Sequence, residues 1–83
     1  MTAGTPHPFV GLWVTADGRI RQRLEADGRY REARGTREAA YTGSYRIDGS
    51  MIHYRDDSGF SADGEFRDDV LHHAGMVMTR FVT

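Results

Sequence analysis

FVGLWVTADGRIRQRLEADG, residues 9–28, decides the fold of this chain. A Gly-x-Trp, Gly11-Leu12-Trp13, leads into Asp17-Gly18, and an alternating run ends at Asp27-Gly28. Asp-Gly suits tight hairpins, because both central residues of the favoured two-residue turn need positive φ. Between the two steps Ile20, Gln22 and Leu24 share one face and Arg19, Arg21 and Arg23 the other, the period of a half-buried strand. The arginines face water and Gln22 is carried inward. Asp48-Gly49 and Asp63-Gly64 repeat the step further along.

Working outward, strand one covers about residues 9–15, strand two 19–25, and a third strand carries Tyr30, Glu32 and Arg34 on one face. With Tyr30 as the inward marker, Glu32 becomes an interior carboxylate. Residues 35–40, Gly-Thr-Arg-Glu-Ala-Ala, break the alternation and read as a loop, a helical turn or a mobile lid flanked by Arg34 and Arg37. A fourth strand places Tyr41, Gly43, Tyr45 and Ile47 together, and a fifth Ile52, Tyr54 and Asp56. After a turn at Asp57-Ser58-Gly59, Phe60, Ala62 and Gly64 alternate. Arg67-Asp68-Asp69 turns the chain into a last segment, residues 70–81, interrupted or bulged near Ala74-Gly75. The sum is an all-β, up-and-down antiparallel barrel or flattened sandwich of about seven or eight strands, because closure removes exposed edges. Residues 1–8, with Pro6 and Pro8, read as a flexible tail, and 9–83 as one domain.

Composition narrows the chemistry. The chain has 83 residues, no cysteine and no lysine, which excludes disulfides, a thiolate nucleophile and a side-chain Schiff base. All 11 basic residues are arginine, which reads as a GC-rich genome before any recognition role. A net charge of −1 argues against general nucleic-acid binding. No signal peptide or membrane-spanning apolar run is visible, so a cytoplasmic protein without membrane contact is expected.

With these residues in view, the chain resembles a small bacterial family of uncharacterised, streptavidin-like (calycin-type) β-barrel proteins. The matching stretches are residues 11–18, 41–45, 57–64 and 71–76, among them Leu71-His72-His73-Ala74-Gly75-Met76. The resemblance implies the barrel and a ligand cavity, and no particular substrate, reaction or cofactor.

Trp13 reads as a plug stacked on a late arginine such as Arg80, as in calycin-type barrels, and both are candidate ligand contacts. Tyr30, Tyr41, Tyr45 and Tyr54 are phenols on mostly inward faces, where a purely structural core would use Phe, Leu or Val. With Gln22, Glu32, Arg34 and Asp56 they outline a polar, aromatic pocket. Adjacent strand residues point to opposite faces, so His72 and His73 cannot chelate one ion together. His73 is the favoured inward member, and an inward His beside Glu32 or Asp56 is a candidate acid–base pair, although a merely satisfied His is commoner. His7 and His53 read as tail and surface residues. Asp56, Asp57, Asp63, Asp68 and Asp69 lack the register of a calcium loop, turn chemistry explains most of them, and no zinc spacing, phosphate loop or nucleophile elbow is present; no metal is expected.

Three functions follow in order: a barrel binding a small molecule; a small biosynthetic isomerase, cyclase or hydrolase using His and carboxylate; and a dimeric interaction module, for which Val10, Leu12 and Val14 are the outward apolar set.

Overall fold

The structure, a computed structural model, describes residues 8–81. His7 and nearly all of the expected tail lie outside the described residues. Eight strands follow in order: β1 (Gly11–Thr15), β2 (Ile20–Leu24), β3 (Arg29–Arg34), β4 (Arg37–Asp48), β5 (Met51–Asp56), β6 (Ser61–Arg67), β7 (Val70–His73) and β8 (Met76–Arg80). Each pairs antiparallel with the next, and Trp13↔Arg80, Val14↔Thr79 and Thr15↔Met78 join β1 to β8 to close the barrel. Every described strand therefore has two neighbours, which leaves no open sheet edge.

Turn chemistry explains most of the reversals. Asp17 and Asp27 each accept, through Oδ1, the backbone N–H two residues on, both at 3.0 Å. The Asp68-Asp69 and Ala74-Gly75 reversals have positive φ at both central residues (53° and 62°, 52° and 76°), the two-residue geometry that matches strand twist. The second of these is the interruption expected near Ala74-Gly75, and not the alternative of a bulge: residues 70–81 hold two strands.

Two further expectations change. Residues 35–40 form no lid and no helical turn, because the β3–β4 connection is Gly35-Thr36 and β4 already begins at Arg37. The ladder shifts register between Glu32↔Tyr41 and Arg34↔Arg37, so Ala33 stands opposite Glu38, Ala39 and Ala40. That bulge is what broke the alternation. Asp63-Gly64 is no turn either, since it lies inside β6. Gly64 is there for close approach: a Cβ would meet the His72 carbonyl oxygen at 3.0 Å and Ile52 Cγ2 at 3.1 Å. Gly43 is tighter still, with the Arg55 carbonyl oxygen 2.2 Å from where its Cβ would stand.

The inward faces of the strands meet in one core. Trp13, Leu24, Ile52, Leu71 and Met78 are fully buried, with Phe66, Tyr30, Tyr45 and Tyr54 nearly so. Two polar side chains are buried with them, Gln22 and Glu32.

Candidate functional site

Strand direction gives the barrel two unlike ends. The beginnings of β1, β3, β5 and β7 gather at one end with residues 8–10, and the ends of the same strands gather at the other. The first end is sealed. The Phe9 ring stacks on Phe66 at 3.8 Å, and the Trp13 ring lies 5.0 Å from Phe66. Trp13 Nε1 donates to the Phe9 carbonyl at 3.0 Å, and the Arg80 guanidinium lies 4.5 Å over the Trp13 ring. The expected Trp13–Arg80 stack is therefore present.

The opposite end is open. A cleft of about 150 Å³ descends between the β5–β6 turn, Arg34 and His73 to a floor made by Gln22, Tyr30, Glu32 and Tyr54. The floor is one hydrogen-bonded chain. Tyr54 Oη donates to Gln22 Oε1 at 2.5 Å, Gln22 Nε2 donates to Glu32 Oε1 at 2.9 Å, and Arg34 Nε donates to Glu32 Oε2 at 2.8 Å. Local pairing sets half of this, because Gln22 on β2 is the direct partner of Glu32 on β3. Closure of the barrel sets the rest by bringing Tyr54 across from β5. Among the described residues no buried side-chain polar atom lacks a partner. An unmatched amide or carboxylate in this interior would cost several kcal/mol on the order expected for uncompensated polar burial.

The chain also decides protonation. Burial, with Asp56 and Glu32 adding to it, pushes the Tyr30 phenol up to about 12. Burial and the Glu32 charge push Tyr54 further above the usual phenol range. At neutral pH both are donors and not bases.

At the mouth, His73 Nδ1 lies 3.0 Å from the Asp63 carbonyl oxygen, which can only accept, so Nδ1 carries the proton and Nε2 is left for another partner. Its ring lies 4.6 Å from that of Tyr54. His72 points to the outer face, between Glu65 of β6 and Val77 of β8, and stays out of the cleft. The Arg34 guanidinium lies 4.9 Å over the ring of the half-exposed Tyr41. Arg34 also borders a wider, shallower trough of about 570 Å³ lined by Thr15, Asp17, Arg19, Ile20 and Met76.

Several candidates lie away from the floor of the cleft. Trp13 and Arg80 belong to the sealed end. So does Tyr45, whose hydroxyl donates to the Glu25 carbonyl at 2.6 Å. Asp56 sits at the rim and shapes its own turn: Oδ1 accepts from Ser58 N at 3.0 Å, Ser58 Oγ at 2.7 Å and Phe60 N at 3.0 Å. The Ser58 hydroxyl, with the Phe60, Ser58 and Gly59 backbone, holds that carboxyl below its usual range. Glu38 reaches Arg21 on the outer wall at 3.5 Å, and His53 pairs there with Asp63 at 2.7 Å. Val10 precedes β1 and is exposed, whereas Leu12 and Val14 are half-buried on the outer face. Sequence reasoning missed Phe60, Ser61 and Ala62 as cleft walls and the Asp63 carbonyl as the group orienting His73. The alternation of Phe60 with Ala62 was the one available signal. Among the described residues no three His, Asp or Glu side chains are placed to hold a metal ion, and no helix is long and apolar enough to cross a membrane.

Fold and site together define a small closed antiparallel barrel, plugged at one end and clefted at the other. The chain belongs to the Atu4866 family, described as Agrobacterium tumefaciens protein Atu4866, whose model matches residues 6–80. It is similar to the solution structure of the protein Atu4866 from Agrobacterium tumefaciens, with 56% identity and a TM-score of 0.81, over 94% of this chain and 100% of that one. No curated protein matches the sequence.

Proposed function

We propose that this barrel binds a small molecule with a flat or apolar body and a polar end in the cleft at its open end. The observation that carries the reading is the Tyr54–Gln22–Glu32–Arg34 chain, a buried amide and carboxylate where an apolar core would be simpler to build. Tyrosine walls support it, since they give contact area together with fixed donors. A volume near 150 Å³ suits a body of about benzene size. The eight-stranded meander and the Trp13–Arg80 stack support the streptavidin-like or lipocalin-like relationship within the same reading.

Thermal shift with a metabolite panel, followed by amide and side-chain NMR of the hits, tests it. A ligand at a hundredfold its Kd adds about 2.7 kcal/mol to stability, and the resonances that move should include the Gln22 side-chain amide. A panel that neither raises Tm nor moves those signals overturns the reading.

A second reading, acid–base catalysis, is favoured by one geometric fact: His73 Nε2 is free of partners among the described residues and lines the same cleft as Glu32. A compound bound in the cleft and converted by the wild type but only bound by His73→Ala would establish it. Equal conversion by both proteins would exclude His73 from the chemistry.

A further inference from the structure

Resting on the binding reading, we propose that the ligand class is a small planar carboxylate, its head on the Arg34 guanidinium and its ring against the corner that Tyr30 and Tyr54 form. The inference comes from counting which polar atoms of the cleft are already engaged. Glu32 has both carboxylate oxygens engaged, one by Gln22 and one by Arg34. Asp56 has Oδ1 engaged by three donors of its own turn. His73 Nε2 is left over as an acceptor, beside a larger group of donors. Arg34 uses Nε on Glu32, while Nη1 and Nη2 have no partner among the described residues. The Tyr30 and Ser61 hydroxyls, both on the cleft wall, have none there either. With both Glu32 oxygens engaged and the Arg34 Nη pair free, the point of the cleft beside Arg34 offers donors, and a ligand group placed there must accept.

Geometry narrows the acceptor further. Glu32 holds the guanidinium from one edge at 2.8 Å and the Tyr41 face lies 4.9 Å from its centre, so its plane is set before any ligand arrives. The free Nη pair is the fork that meets a carboxylate with two parallel hydrogen bonds. Glu32 presents no free oxygen to the incoming head, because Arg34 and the Gln22 amide engage both, so the selection rests on the free Nη pair and not on an excess of positive charge. The ring has a place as well: Tyr30 and Tyr54 meet edge to face at 5.1 Å and present an aromatic corner to the cleft.

Three probes with one ring and different heads decide the matter: benzoate, benzamide and benzylammonium, each titrated into isotope-labelled full-length protein. Benzoate is expected to bind at least about tenfold more tightly than either of the others, the discrimination of a charge-assisted paired contact. It should move the Arg34 Nε–H signal. Arg34→Lys, which keeps the charge and loses the fork, is expected to weaken benzoate about tenfold and leave benzamide unchanged. Arg31→Gln on the outer wall should change neither. Should Arg34→Lys fail to fold, the ranking of the three heads on the wild type still decides. Benzylammonium or benzamide ranking first overturns the carboxylate class and leaves the binding reading standing. Silence from all three also overturns it, and the binding reading is then judged by the wider metabolite panel.

Discussion

Each end of the barrel sets an arginine over an aromatic ring, and the two pairs are used differently. At the sealed end Arg80 lies over Trp13, donates through Nη1 to the Val10 carbonyl and through Nη2 to the Pro8 carbonyl, and pairs with Asp69 at 3.0 Å. Its donors are consumed in tying residues 8–10 across the bottom of the barrel. At the open end Arg34 lies over Tyr41 and engages one nitrogen, on Glu32. The same two residue types make a closure where every donor is met internally, and a binding edge where two are not. The surroundings follow suit. Phe9, Trp13 and Phe66 fill the sealed end with stacked rings, whereas Gln22, Glu32 and Tyr54 line the open one with a polar chain.

If the sealed end holds the fold together, its removal should be costly. Trp13→Ala deletes a fully buried indole and is expected to destabilise by about 3–5 kcal/mol. That is a large part of the roughly 5–15 kcal/mol typical of a domain. Urea unfolding of this variant measures it, and near-native stability would show that the plug is dispensable. At the open end Gln22→Leu should cost a comparable amount, about 1–3 kcal/mol for each of the two groups stranded. Here the stranded groups are the Tyr54 hydroxyl and one oxygen of Glu32. Adding Tyr54→Phe should recover part of the loss, because it removes one of them. A double-mutant cycle without coupling would break the claim that these side chains act as a unit.

Alkaline pH samples both ends together. Burial raises Tyr30 at the open end and Tyr45 at the sealed end to about 12, against an unfolded value near 10. The unfolded chain therefore loses these protons first. Their contribution is complete below pH 10 and disappears as pH rises toward 12. Urea midpoints across that range should fall as phenolate absorbance rises, and a flat midpoint would show the phenols to be exposed. The smallest effect is expected at Asp69, which is fully exposed and whose carboxyl is held low chiefly by its hydrogen bond from Arg80. With the folded pKa depressed, its contribution is present above about pH 3.8 and is lost as pH falls through the folded value. Asp69→Asn should lower Tm slightly at pH 7, and the difference from the wild type should vanish as acid protonates the folded carboxyl. A large drop at pH 7 would mean that the sealed end depends on this surface pair more than on its stacked rings.

How much of this was legible depended on the range of the cause. The β2 alternation, the places of the turns near Asp17-Gly18, Asp27-Gly28 and Asp48-Gly49, and the inward Gln22, Glu32, Tyr30 and Tyr54 could be read because a strand's two faces and a glycine's turn are settled within a few residues. Only the glycine of each step, and not its aspartate, takes the expected positive φ. Residues 35–40 misled for a related reason. A bulge puts three residues opposite one, and the misfit is visible only against the partner strand. Asp63-Gly64 looked like a turn because its glycine answers to Ile52 and His72, neither of them a sequence neighbour of Asp63.

By itself the sequence determined an all-β meander, its strand faces, most of its turns and the polar side chains that point inward, since backbone sterics and apolar burial act locally. Only the tertiary structure decided that Tyr45 joins the Trp13–Arg80 plug at one end while Gln22, Glu32, Tyr54 and His73 line the other. Which end an inward residue reaches depends on strand stagger and on closure of β8 onto β1, and those follow from hydrogen bonds between segments up to 72 residues apart.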